Sequence, residues 1–240
     1  MTDTFAGLLT ERLRSDPGRP LVTFYDDATG ERVELSVATY ANWVAKTSSL
    51  LVEELDLERG MRLLVDLPTH WLTPVFVGAA WTVGLSVADA ATPEEAEDAV
   101  VCGPDGLERY AGRAPDVPVV ACALRPLGVR FADSLPDGVH DFGVEVWSQP
   151  DAFIPWDPAT GDDEAAPGVS QRELLGRPAR HLQPGGRLLT TVSPLEEPAT
   201  LVEALAGGGS TVWVRNCEPG GLQKKYDDER ATARFVPGTD

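Results

Sequence analysis

Apolar positions at Phe5, Leu8, Leu9 and Leu13 recur at helical spacing, and Asp16-Pro17-Gly18 closes that run, which predicts a first helix. Residues 21–25 and 31–35 flank Asp26-Asp27-Ala28-Thr29-Gly30 and read as a hairpin with a glycine-containing loop. Ser36 is placed to cap a long helix. Its apolar stripe is Tyr40, Val44, Thr47, Leu51 and Leu55, broadened by Trp43 and Leu50, and Arg59-Gly60 ends it. Residues 61–67 form a short, mostly apolar run of the buried-strand type, residues 71–83 an apolar helix, and residues 85–88 another strand. Strand, helix, strand in that order predicts parallel pairing with helices on both faces.

The pattern continues with short strands at 99–102 and 117–121 and a helix at 106–111. Beyond a long polar interval it resumes with a helix at 173–182, a strand at 187–192 and a helix at 194–206. Gly207-Gly208-Gly209 closes that helix. A strand at 210–214, a helix at 221–229 and a strand at 233–236 complete the series. The fold class predicted is α/β, with a mixed, mainly parallel sheet flanked by helices. One domain is expected over 1–240: a first α/β half at 1–130, an acidic, loop-rich connector at 131–172, and a second α/β segment at 173–240.

Charge changes this picture in one place. The whole chain carries a formal net charge of −18, which argues against nucleic acid, because few cations are available to displace phosphate counterions. Anionic membrane surfaces are disfavoured for the same reason. The acidity is sharpest from 131 to 171, where no Lys or Arg occurs among Asp133, Asp137, Asp141, Glu145, Asp151, Asp157, Asp162, Asp163 and Glu164. The N-terminal MTDTFAGLL has an acid where a signal peptide carries a base. The uncharged run 71–88 contains Pro74, Gly78 and Gly84 and reads as a buried helix entering a buried strand, not a membrane span. Cys102, Cys122 and Cys217 have neither metal-ligand nor disulfide-framework spacing, and they read as small buried hydrophobes of a reducing cytoplasm.

Taken together, these residues resemble the opening of the adenylate-forming superfamily of acyl-CoA synthetases, peptide-synthetase adenylation domains and luciferases. The resemblance over 20–91 lies in the hairpin VTFYDDATGERVELS and the helix TYANWVAKTSSLLVEEL. The Gly-strand ERGMRLLVDLP and the helix TPVFVGAAWTVG continue it. PGGRLLTTVSPLEEPATLVEALAGGGSTVWVRN is similar to the family segment that follows its phosphate loop. The resemblance implies the fold of the family's large N-terminal domain, ending about halfway. The adenine-side motif, ribose-binding Asp, hinge and C-terminal domain with the catalytic Lys would lie beyond this sequence.

The family's phosphate loop is a run of Ser, Thr and Gly followed by Pro-Lys-Gly, whose hydroxyls, amides and Lys surround the ATP phosphates. At the matching place stands Ala159-Thr160-Gly161-Asp162-Asp163-Glu164-Ala165-Ala166-Pro167-Gly168-Val169. The resemblance implies Thr160, Gly161, Asp162, Asp163 and Gly168 as the degenerate phosphate-loop positions. Two hydroxyls have become Asp162 and Asp163, a Gly has become Glu164, and the Lys is gone. A charge-assisted hydrogen bond to phosphate contributes about 1.5–3 kcal/mol. A carboxylate about 5 Å from a phosphate charge costs about 3 kcal/mol at an effective dielectric of about 20. Such a loop is expected to repel triphosphate.

No catalytic residue, resident cofactor or metal is therefore expected. The resemblance implies a catalytically degenerate relative of AMP-dependent ligases with a binding, regulatory or assembly role, as a homo-oligomer or with a protein partner. The alternatives are an ATP- or AMP-binding acid ligase completed by a partner chain or an altered loop, and a ligand-free scaffold. Asp162, Asp163 and Glu164 lack the alternating spacing of a calcium loop and read as a solvated acidic turn. His70 reads as a helix-start histidine, and His70, His140 and His181 make no metal pair. Ser193 lacks the glycines of a nucleophile elbow, and 207–209 reads as a helix stop. Trp43, Trp71 and Trp81 read as core; Trp147 and Trp156 are expected to pin the acidic connector down.

Overall fold

The computed structural model describes residues 2–90 and 97–237. Met1, Ala91 at the end of the 20–91 resemblance, and the last residues of the expected domain (238–240) lie outside the described residues. Helix α1 (Phe5–Ser15) is capped by Thr4, whose side chain accepts from the Gly7 amide. Strands β1 (Pro20–Asp26) and β2 (Glu31–Ser36) form the predicted hairpin. Ser36 caps α2 (Val37–Ser49) as expected, by accepting from the Thr39 amide. That helix loosens into a π turn at Leu50–Glu54 before β3 (Arg62–Asp66). Helix α3 (Leu72–Val83) is apolar all round and buried almost throughout. It is followed by β4 (Ser86–Asp89), β5 (Ala99–Cys102), α4 (Leu107–Tyr110) and β6 (Val119–Ala121). The connector adds β7 (Val139–Asp141), α5 (Phe142–Glu145), β8 (Glu164–Ala166) and β9 (Val169–Ser170). The last segment runs through α6 (Gln171–Leu175), β10 (Arg187–Thr190), α7 (Ala199–Gly207), β11 (Ser210–Arg215), α8 (Gly221–Asp228) and β12 (Ala233–Phe235).

The α/β class holds, with its strands divided between two five-stranded sheets. One has the order β12-β10-β11-β1-β2, parallel except for the β1–β2 hairpin; the other, β4-β3-β5-β6-β7, is parallel throughout. Helix α2 packs on β1 and β2, α3 on β3 and β4, and the two helices pack on each other, so a helical layer joins the sheets. The Tyr40 hydroxyl donates to the Pro74 carbonyl at 2.7 Å inside that layer. This arrangement explains why α3 has no polar face: both of its flanks are covered. The expected helix at 173–182 stops at Leu175 because Gly176 and Pro178 follow directly. The helix expected from 194 begins only at Ala199, after Pro198. Among the described residues no helix is long and apolar enough to cross a membrane.

Candidate functional site

The loop at 159–169 is held in place by the core elements around it. Strand β8 lies against β4, and the Trp81 indole N–H donates to the Ala165 carbonyl at 2.7 Å. Gln171, buried at the start of α6, donates to the Trp81 carbonyl at 2.7 Å and accepts from the Phe5 amide at 2.9 Å. One side chain thus fastens the loop to both α1 and α3. Thr160, Gly161, Asp162 and Asp163 form a single turn, closed by the Asp163 amide donating to the Thr160 carbonyl at 3.2 Å. Gly168 stands apart at the tip of the β8–β9 hairpin, with φ +72° and open space around it.

The two aspartates of this turn are each ion-paired, Asp163 with Arg59 and Asp162 with Arg172. Arg59 Nε donates to Asp163 Oδ1 at 2.9 Å and Oδ2 at 2.8 Å, Nη1 to Asp157 at 3.1 Å, and Nη2 to Thr160 Oγ1 at 3.1 Å. The Thr160 amide donates to Asp163 Oδ2 at 2.7 Å. Asp163 first, then Asp157, holds the Arg59 guanidinium above the ordinary arginine range. Gly84 makes this fit possible. It ends α3 at φ +93°, and a Cβ there would stand 2.8 Å from Arg59 Cγ and 3.2 Å from Asp163 Oδ2. Arg172 pairs with Asp162 and, at 2.9 Å, with Asp3, whose carboxyl it draws below the usual carboxylate range.

The expectation of a solvated acidic turn is therefore corrected at one residue. Asp162 and Glu164 are exposed, but the Asp163 side chain is only 11% exposed and is ion-paired. Its carboxylate takes the donors that an incoming anion would need. Sequence reasoning treated Arg59 as the end of a helix and missed this contact. The signal lay in charge balance: a stretch of acids without a base has to find its cations elsewhere, and Arg59 and Arg172 flank it in space.

The remaining candidates resolve into structural roles. His70 sits at the start of α3, 2% exposed, accepting from the Leu72 amide at 3.2 Å and lying 4.9 Å from the Phe24 ring. Burial, assisted by Arg215, pushes its pKa down to about 3. Ser193 Oγ accepts from the Leu195 amide, a turn contact. Burial pushes the Cys102 thiol up to about 12 and Cys122 well above its ordinary value. Gly208 ends α7 in the left-handed region. Among the described residues no group of His, Cys, Asp and Glu is placed to hold a metal ion. Trp147 packs edge-on against Trp43 at 5.4 Å and does pin the connector. Trp156 does not: it is 97% exposed.

No protein-family profile matches the chain. It is 36% identical, over 96% of its length and 97% of the relative's, to a protein of Mycobacterium tuberculosis (strain ATCC 25618 / H37Rv) named as a TIGR03089 family protein. Among solved structures, an acetoacetyl-CoA synthetase from Streptomyces lividans superposes with a TM-score of 0.76 at 17% identity, covering 97% of this chain and 42% of that one. An acyl-CoA synthetase of Brucella canis gives 0.77 at 15% identity, covering 95% and 47%. The N-terminal domain of FACL13 from Mycobacterium tuberculosis gives 0.70 at 14% identity, covering 96% and 62%. The chain thus spans less than two thirds of the solved proteins it resembles, and at these identities the likeness concerns the fold. The fold of this chain is that of the N-terminal part of acyl-CoA synthetases, and by its match over 96% of its length to the mycobacterial relative the chain belongs to the TIGR03089 protein family.

Proposed function

We propose that this chain is a catalytically degenerate relative of the AMP-dependent ligases that works by binding another protein, in a regulatory or assembly role. The observation that carries this reading is the Asp163–Arg59 pair. Arg59 and the Thr160 amide are both engaged by a carboxylate of the loop itself. A triphosphate would have to displace that carboxylate before gaining any bond of its own, and adenylation depends on donors already aimed at the developing phosphate charge. The test is ATP–pyrophosphate exchange over a panel of carboxylates, alongside thermal unfolding with Mg-ATP, AMP and acyl-CoA. No exchange and an unchanged melting temperature are expected. A nucleotide present at about a hundredfold over its dissociation constant would stabilise the native state by about 2.7 kcal/mol, so binding would be seen. Exchange above background overturns the reading in favour of a ligase with an altered loop.

A further inference from the structure

The large apolar side chains that stand exposed among the described residues, from Leu127 to Trp156, fall just before or within the acidic connector. Two of them, Ile154 at 87% and Trp156 at 97% exposure, rise beside a groove of about 280 Å³. Its opposite wall is the π turn and the bend after it, with Val52 and Leu57 at the floor and Glu53 and Glu58 exposed at the rim. Neither glutamate forms an ion pair among the described residues. The cation in this groove, Arg59, is engaged by Asp163 and Asp157. A second groove of about 450 Å³ lies across the same ridge, shares Phe153 and Pro155 with the first, and has no cation in its lining. An indole held almost wholly in water beside unpaired carboxylates is a poor arrangement for a free surface and a good one for a hydrophobic anchor ringed by charge.

Resting on the reading of the chain as a binding protein, we infer that the 153–157 ridge and its acidic groove dock a basic amphipathic segment of a partner protein. An apolar side chain of that segment lies against Trp156 and Ile154, and its Lys or Arg side chains reach Glu53 and Glu58. Charge complementarity selects this partner. An acidic segment would meet rim carboxylates with no free cation to receive it, and an anionic lipid surface is excluded on the same ground. A cation over the indole face adds a further attraction.

The probe is a fluorescent synthetic helix of Leu and Lys, about eighteen residues long, with the Glu-for-Lys version and a scrambled peptide of equal composition as controls. Titration is by anisotropy at low ionic strength. Binding is expected to weaken roughly tenfold or more in Trp156→Ala and in Glu53→Gln/Glu58→Gln, and to be unchanged in Asp105→Asn/Glu108→Gln, which removes equal charge far from the ridge. These side chains are exposed, so the variants keep the fold, and circular dichroism checks it. Equal loss in the distant variant, equal affinity for the scrambled or acidic peptide, or no binding at all overturns the proposal. Pyrophosphate exchange is measured on the same samples. Failed docking without exchange sinks the groove alone, whereas exchange sinks the non-catalytic reading.

Discussion

Replacing Asp163 by Ala should cost more stability than replacing Asp162 or Glu164 and, on the reading proposed above, should open the loop to phosphate. The Asp163 carboxylate accepts from Arg59 at 2.8 and 2.9 Å and from the Thr160 amide at 2.7 Å, with its side chain 11% exposed. A hydrogen bond to a charged group contributes about 1.5–3 kcal/mol. After truncation Arg59 keeps Asp157 and the Thr160 hydroxyl, and the amide, at the surface, can turn to water. The loss should therefore fall near 2 kcal/mol, above an exposed ion pair at about 0.2–1 and below a broken buried one at about 3–5. For a chain of this length that is a fall of about 4–8 °C in melting temperature, read by calorimetry. Asp162→Ala, at an exposed position paired with a half-exposed Arg172, is the control and should barely shift the midpoint. The Arg59 Nε–H and the Thr160 amide released from Asp163 should then bind pyrophosphate, which should raise the melting temperature of the variant and not that of the wild type. A variant as stable as wild type and indifferent to pyrophosphate would refute the claim that Asp163 fills the loop.

Glu203 and His70 are tested by unfolding experiments. Glu203, 8% exposed on α7, accepts from the consecutive amides of Arg180, His181 and Leu182 at 2.7, 2.8 and 2.9 Å. Glu203→Ala leaves those donors without a partner and should cost about 3 kcal/mol in urea unfolding, with Glu203→Gln intermediate; a loss below about 1 kcal/mol would contradict the assignment. His70 has its folded pKa depressed from 6.5 to about 3, so its contribution is fully present above 6.5. It should be lost as pH falls, by about 1.4 kcal/mol per unit between those values, because the unfolded chain takes up the proton and the native one does not. Asp26 and Arg215 are the charges acting on the imidazole. Denaturant midpoints from pH 7 to pH 5 should fall less steeply in His70→Asn; parallel slopes would show that another group carries the effect.

The first half of the fold was legible because burial on both faces leaves nearly continuous apolar runs. Strand β3, helix α3 and strand β4 are of this kind, and α3 was marked correctly from its Pro and Gly content as helix and not membrane span. Strand β7 was invisible: Val139, His140 and Asp141 are each half-buried at a sheet edge, so neither alternation nor an apolar run marks them. The β8–β9 ribbon is too short to set a period, and its strand identity comes from packing against β4. At the site, the sequence located the turn at 160–163 through its resemblance, yet missed the cation that Asp163 holds. Arg59 and Asp163 are separated by 104 positions, and no local pattern announces such a pair. Trp156 was misjudged because a tryptophan among acids usually finds a packing partner, as Trp147 does against Trp43.

The closed loop and the open ridge belong to one stretch of chain and share one residue. Arg59 lines the groove beside Trp156 and Asp157 while its guanidinium is spent on Asp163. Had Arg59 been free, the groove would carry a cation among its rim acids and the loop an unpaired carboxylate. Both surfaces would then be ambiguous in sign. With Arg59 committed inward, its charge is taken up by Asp163 and Asp157, and the groove presents acids around an exposed indole. On the reading proposed above, the pair that closes the loop to phosphate is also the pair that leaves the neighbouring surface attractive to a basic partner. Asp163→Ala should weaken docking as well as open the loop, because a guanidinium that keeps only Asp157 and the Thr160 hydroxyl carries more uncompensated positive charge in the groove that Glu58 lines, against the charge pattern that the partner reads.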